Sequence, residues 1–253
     1  MDHIADAVKA LSGCSSILVF TGAGISTESG IPDFRGPGGV WTRVDPEEFT
    51  YSRYLTNPDT RRRGWAMRAE SGVFDATPNA AHRAIAELWD GGLMIACVTQ
   101  NIDGLHQVAG LPDEAVIELH GNAHHTTCVS CGSRQPTAVV LDRVAGGEDD
   151  PTCTDCGGIL KPDVVFFGEM MPEREMMRAA MAAGEADAVI AVGSTLSVFP
   201  AANVPLEVAE AGHPFVIVNR GPTELDDIAT VRIEGPAGDL LPGIVRRLIS
   251  GAA

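Results

Sequence analysis

Five short apolar runs, each closing on a cluster of small or polar residues, limit the folds open to this chain of 253 residues. SILVF leads into TGAGIS, LMIACV into TQNID, AVIELH into GN, AVIAV into GSTLS and FVIV into NRG. Between them lie stretches with helical spacing, notably NAAHRAIAELWDGG, EREMMRAAMAAGEA and AANVPLEVAEAG, with glycines at or near their ends. Runs that are apolar throughout and alternate with helices predict an α/β fold, a Rossmann-like doubly wound parallel sheet. Ligands of such sheets bind beyond the carboxyl ends of the strands, so the polar clusters are expected to meet at one crevice. Composition agrees: 45% hydrophobic residues with only 5% aromatics imply a core of Ala, Val, Ile and Leu.

The alternation breaks twice. Residues 30–78 lack strand periodicity and are punctuated by PGGVW, DPEEF and NPD, which predicts a flexible insertion of loops and short helices. Residues 122–160 form the second break and predict a small zinc-ribbon module inserted into a main domain of residues 1–121 and 161–253. Within it Cys128-x-x-Cys131 is followed after 21 residues by Cys153-x-x-Cys156. Two such knuckles supply four thiolates to one tetrahedral Zn²⁺, a filled shell and therefore a structural ion. A redox role for C-x-x-C would want a single pair at a helix N-terminus. His124 and His125 could replace a ligand, although four cysteines suffice. Cys14 and Cys97 are expected as small buried apolar residues.

A formal charge of −16, from 34 acidic and 18 basic residues, opposes binding to nucleic acid or an anionic membrane. The acid-rich DRVAGGEDDPTCTDC makes the same point for the zinc module. No apolar stretch approaches the roughly 20 residues that span a bilayer, and no secretory signal opens the chain, so a cytoplasmic location is expected.

The turn after SILVF begins like the dinucleotide fingerprint, but Thr27 stands where a third glycine belongs. Gly22 and Gly24 would let backbone N–H groups approach a pyrophosphate, and Ser26 and Thr27 could cap the following helix or bind oxygen atoms. A hydride-transferring dehydrogenase would next place a strand ending in an acid about 20 residues on. Here GIPDFRGPGGVW intervenes instead, so Asp33, Phe34 and Arg35 are expected in a flap over the cofactor. Thr99-Gln100-Asn101-Ile102-Asp103 offers amides and a carboxylate suited to hydroxyls and a carboxamide, with Asp103 as a plain helix cap the alternative. His120 ends another strand, where its near-neutral pKa suits a general base.

In order along the chain, GAGIS, GIPDFRG, TQNIDGLH, HG at 120–121, the cysteine knuckles, KPDVVFFGE and GSTLSVFPAA resemble the sirtuins, NAD-dependent protein-lysine deacylases. NPDTRRRGWAMR and NRGPTELDDIA are similar to stretches of the class II subgroup. The resemblance implies that NAD is a co-substrate whose nicotinamide bond is broken. Gly22, Ala23, Gly24, Thr27, Asp33, Phe34 and Arg35 would surround the phosphates and nicotinamide ribose, and Ile102 and Asp103 the carboxamide. Gln100 and Asn101 would contact the ribose, while Gly193, Ser194, Thr195, Asn219 and Ala237 would hold the adenosine half. The acyl-lysine oxygen attacks the anomeric carbon, with Asn101 in the catalytic group and His120 as base on a ribose hydroxyl. Val165, Phe166 and Phe167 would line a lysine tunnel, and Gly168, Glu169, Ser197 and Val198 would pair with the substrate backbone as an added strand. Partners are then acylated-lysine proteins or peptides, and the chain a monomer or weak oligomer. Mono-ADP-ribosyl transfer and a non-catalytic NAD-binding scaffold are the alternatives. Two departures stand out: the family's Gly-Thr-Ser or Gly-Ser-Ser reads Gly193-Ser194-Thr195, and the Tyr/Arg pair of desuccinylating members has no recognisable counterpart. Trp65 and Arg68 stand near its place, and carboxylated acyl groups are expected to be poor substrates.

Overall fold

The computed structural model describes residues 2–252. Helix α1 (His3–Leu11) precedes β1 (Ile17–Thr21), which turns into a 3₁₀ helix, Ala23–Ser29. Two further 3₁₀ turns lead to α2 (Tyr51–Thr56), α3 (Pro58–Glu70) and α4 (Ala80–Asp90). Next come β2 (Met94–Thr99), α5 (Leu105–Val108) and β3 (Val116–Glu118). A second, smaller unit follows with β4 (Gly121–Cys128), β5 (Arg134–Pro136), α6 (Thr137–Ala145) and β6 (Leu160–Val164). The chain then alternates again through α7 (Glu173–Glu185), β7 (Ala188–Val192), α8 (Asn203–Glu210), β8 (Phe215–Asn219), β9 (Val231–Glu234) and α9 (Ala237–Ala252).

The large sheet runs β3-β2-β1-β7-β8-β9, parallel throughout. Counted within the sheet this is the order 3-2-1-4-5-6, which reverses between β1 and β7 and opens a crevice there. Side chains alternate between two cores. Ile17, Val19, Ile190 and Val218 face α1, α4 and α9. Leu18, Phe20, Val189 and Ile217 face α7 and α8. Because both faces are covered, β1, β7 and β8 are buried at every position, which is why they read as unbroken apolar runs. The sixth strand, VRIE, is half-exposed at the sheet edge, and the terminal helices α1 and α9 complete one layer; the sequence reading singled out none of the three.

The smaller sheet is antiparallel, in the order β5-β4-β6. Helix α3 packs on it: Trp65 is fully buried beside Cys128, Val140, Cys153 and Leu160. Tyr54 donates from its hydroxyl to the Leu160 carbonyl at 2.7 Å, and Arg61 pairs with Asp150 at 2.8 Å. Helices α2 and α3 of the 30–78 segment are thus laid against the cysteine-bearing unit. Cys97 is buried as expected, whereas Cys14 is only half-buried, in the turn between α1 and β1, with its thiol 3.7 Å from the Asp187 carbonyl.

Candidate active site

Parallel register brings the strand ends level. Thr21 lies beside Thr99 of β2 and Val192 of β7, so the residues that follow each strand leave the sheet together. Gly22 donates to the Val192 carbonyl at 3.0 Å and Gly24 to the Gly193 carbonyl at 2.8 Å. A Cβ on either glycine would lie 2.8 Å from that same Gly193 oxygen, and Gly193 itself has φ +64°. The sequence reading gave the two glycines to an approaching pyrophosphate. Their own N–H groups are instead spent on β7, and their missing side chains let two turns interlock.

Ser26 and Thr27 also behave differently from the capping role expected of them. Both lie inside the 3₁₀ helix, where Thr27 donates back to the Gly24 carbonyl at 2.9 Å and Ser26 donates to Asp103 at 2.7 Å. The helix therefore starts at Ala23 with no side chain capping it, facing the crevice at the order reversal. That bare start, the glycine cradle and the donor set around it fit a dinucleotide.

From β2, Gln100 donates to the Ser194 hydroxyl at 2.9 Å, bridging the two halves of the sheet across the crevice. Asn101 is buried, its amide donating to the Gly22 carbonyl and to Ser26, each at 3.2 Å. Asp103 takes the capping role, one oxygen accepting from Leu105 N of α5 at 2.9 Å, while the other accepts from Ser26. Asn219 and Ala237 are buried at the far side, where Gly235 N donates to the Asn219 carbonyl at 3.2 Å. Glu28, from the 3₁₀ helix, accepts from Gly238 N at 2.8 Å and ties the Ala237 end to the glycine turn. Thr195 is turned away, its hydroxyl 2.8 Å from that of Ser197.

His120 is half-buried just past β3. Its Nδ1 lies 3.1 Å from the Gln100 carbonyl, and a carbonyl only accepts, so Nδ1 carries the proton and Nε2 keeps its lone pair. Burial pulls its pKa below the ordinary 6.5, against a smaller opposite pull from that carbonyl. At pH 7 the ring is neutral and basic. The His120 carbonyl accepts from Val165 N at 2.9 Å, which links it to the Val165–Phe167 segment.

That segment is held from beneath by Lys161, which donates to the Val164 carbonyl at 2.8 Å and pairs with Glu169 at 3.1 Å; Glu169 accepts in turn from Phe166 N at 2.9 Å. Of the four residues expected to pair with substrate backbone, Glu169 has its N–H turned onto the Phe166 carbonyl, and the Val198 carbonyl accepts from Ala202 N. Among the described residues no backbone hydrogen bond engages Gly168 or Ser197. In the flap, Asp33 folds back to accept from Gly36 N at 2.7 Å, while Arg35 is exposed. Trp41 anchors the flap, its ring 5.1 Å from Phe34 and 6.0 Å from Phe167.

A separate cavity of about 340 Å³ lies between α3 and the Phe166 ring, lined also by Tyr54, Met67 and Arg68. The Arg68 guanidinium sits 5.7 Å from the Trp65 and Phe166 rings and donates to Gly64 O at 2.8 Å, with no carboxylate in reach among the described residues. Trp65, by contrast, belongs to the core of the smaller unit. Of the two residues that stand near the place of the Tyr/Arg pair, only Arg68 lines this cavity.

Cys128, Cys131, Cys153 and Cys156 stand apart from the crevice with their sulfurs all within 4.8 Å of one another. The pairs Cys128–Cys156 and Cys131–Cys153 are 3.6 and 3.7 Å apart, close to the edge of a tetrahedron with Zn–S bonds of about 2.3 Å. The site fits one structural zinc. His124 is engaged elsewhere, 2.8 Å from the Asp103 carbonyl. Sequence reasoning missed Ser26 as a partner of Asp103, Trp41, Tyr54 and Lys161, and it named Arg68 without a role. Only Lys161, a cation inside the otherwise apolar ILKPDVVFF apart from Asp163, left a signal that could have been followed.

A crevice at a strand-order reversal, a glycine turn and a neutral histidine at its rim, with a four-thiolate knuckle alongside, define a zinc-carrying α/β protein that handles a dinucleotide. The model of the Sir2 family matches residues 22–200. An NAD-dependent protein deacetylase of Streptomyces coelicolor is 45% identical over 94% of this chain and 100% of its own length. An NAD-dependent protein deacylase of Pyrobaculum aerophilum is 42% identical over 97% and 95%. Among solved structures, a Sir2 enzyme superimposes with a TM-score of 0.90 at 42% identity over 98% of both chains. A Sir2 variant solved with a deacetylated peptide and 3'-O-acetyl ADP ribose gives 0.88 at 36% identity, over 98% of this chain and 97% of that one. The chain belongs to the Sir2 family.

Proposed function

We propose that the protein is an NAD-dependent protein-lysine deacylase that moves the acyl group of a modified lysine onto ADP-ribose and releases nicotinamide. The observation that carries this reading is His120, a neutral imidazole whose Nε2 lone pair is free while Nδ1 is fixed on Gln100 O. NAD supplies a glycosidic bond whose cleavage makes a ribose carbon electrophilic toward the weakly nucleophilic acyl oxygen. His120 takes a proton from a ribose hydroxyl at Nε2, so that this hydroxyl can receive the acyl group. Ala23, at the uncapped start of the 3₁₀ helix, faces phosphate, Asn101 and Gln100 orient the ribose, and Ile102 with Asp103 receives the carboxamide. Val165, Phe166 and Phe167 exclude water from the lysine side chain. Ser194, Asn219 and Ala237 take the adenosine end, and Gly168 and Ser197 supply free backbone groups to the peptide.

His120→Ala is expected to lower turnover of an acetyl-lysine peptide by about 100-fold or more, with an unchanged melting temperature. Nicotinamide release and the peptide mass are measured together. Wild-type turnover in the variant would remove the assigned base, and a gain of ADP-ribose on the peptide in place of acyl loss would shift the reading to ADP-ribosyl transfer.

Arg68 extends the reading to the acyl group. A half-buried guanidinium with one carbonyl partner and two aromatic neighbours keeps donors that an incoming carboxylate can engage. The cavity beside Phe166, lined also by Asp45 and Glu48, would receive a carboxylated acyl chain only at its Arg68 end.

A further inference from the structure

The loop that receives the carboxamide is held from behind by the smaller unit. The side chains of Asn101 and Asp103 are fixed on the glycine turn, as described above, but the carbonyls of the same loop face β4. Ala123 N donates to the Ile102 carbonyl at 2.9 Å, and His124 Nε2 lies 2.8 Å from the Asp103 carbonyl. A carbonyl has no proton to give, so Nε2 carries the hydrogen. The ring also packs on the loop: Gly104 has φ +70°, and a Cβ there would lie 3.2 Å from His124 Nε2.

His124 is itself placed by a chain of hydrogen bonds that returns to the same segment. Its N–H donates to Asn122 Oδ1 at 2.8 Å, Asn122 Nδ2 donates to Glu118 at 2.6 Å, and Glu118 accepts from Gln107 Nε2 at 3.0 Å. Gln107 lies on α5, which starts directly after Gly104. The ring meets Phe74 edge-on at 5.4 Å. A closed circuit from α5 through β3 and β4 back to Asp103 thus fixes the peptide plane between Asp103 and Gly104.

We propose that His124 is a positioning residue for the nicotinamide end of the cofactor, acting through the Asp103 carbonyl. This rests on the deacylase reading only in assigning nicotinamide to the Ile102–Asp103 loop. Losing the donor frees the peptide plane beside the carboxamide and leaves the ADP-ribose contacts, on Gly22–Gly24, Ser194 and Asn219, as they were.

The test compares His124→Phe, which keeps a ring and loses the donor, with His124→Gln, which keeps a side-chain N–H. For His124→Phe the inhibition constant of nicotinamide is expected to rise roughly 5- to 10-fold, the loss of one hydrogen bond, with ADP-ribose affinity and peptide KM within about twofold. His124→Gln is expected to recover most of that loss. An unchanged nicotinamide constant in His124→Phe overturns the proposal, and so does an equal weakening of nicotinamide and ADP-ribose, which marks general loosening. Wild-type protein that binds ADP-ribose but releases no nicotinamide with any acylated peptide would instead sink the deacylase reading. Calorimetric nicotinamide affinity of the same variants would then decide His124 on its own.

Discussion

Three histidines near the crevice show how placement sorts one side chain into different work. Burial lowers His106 to about 3 and His82 to about 4, so both stay neutral under the glycine turn, with His106 2.9 Å from Thr21 Oγ1 and His82 beside Ser26. His120 stands at the rim with a milder shift and one free nitrogen, and only there can a substrate proton be taken. Arg68 is a similar case. The other arginines of α3, Arg61, Arg62 and Arg63, each pair with a carboxylate, while Arg68 lines the acyl-side cavity without one. Replacing it by methionine keeps the chain length and removes the charge. We expect Arg68→Met to lower kcat/KM on succinyl- or glutaryl-lysine peptide by about 10- to 100-fold, the range of a charge-assisted hydrogen bond, with acetyl peptide within about twofold. A panel of one peptide with different acyl groups checks this; equal losses on all of them, or no wild-type turnover of carboxylated acyl groups, would show that Arg68 only supports the fold.

Between elements, the decisive contact is the interlock of the β1 and β7 turns. Gly193 needs its left-handed φ, and an added Cβ would collide with Ile25 N and the Gly24 backbone. Gly193→Ala is expected to cost on the order of 3 kcal/mol from strain and overlap, read as a lower urea midpoint, and to weaken NAD binding because Gly22–Gly24 must shift. A wild-type midpoint would mean that the turns are not so closely fitted. The sequence showed that glycines end β1 and β7 but not that they face each other, because pairing between strands more than 170 residues apart leaves no local pattern. Five buried strands were legible for the opposite reason: being covered on both faces, they are apolar at nearly every position. VRIE at the edge, and α9 with Gly243 and Pro242 inside it, lack that uniformity and were passed over. The four cysteines were legible from their spacing, and His120 and Asn101 were singled out as polar residues at strand ends. Arg68 and His124 were not, since their roles depend on which neighbours they lack or reach in three dimensions.

At the scale of the whole molecule, the smaller unit is more than a zinc-bound appendage. Its last strand, β6, runs straight into Val165–Phe167, and Val165 N is bonded to the His120 carbonyl. Trp65 and Leu160 pack against Cys128 and Cys153, so the metal site and the helical insertion share one small core, and Phe166 packs with Tyr54 in a second cluster beside it. That core buries few apolar residues, too few to hold four mutually repelling thiolates in place without the cation. The large sheet has two cores of its own and does not depend on it. Removing zinc, by titrating the cysteines with a mercurial reagent in the presence of a chelator, is therefore expected to release one ion per chain. Trp65 emission should shift to the red as its pocket opens, and deacylation should be lost while most helical circular dichroism remains, since α1, α4, α7, α8 and α9 stay on the large sheet. Deacylation that persists at full metal release would mean that β6 holds Val165–Phe167 without the ion, and collapse of the helical signal in step with zinc loss would mean that the two units fold as one.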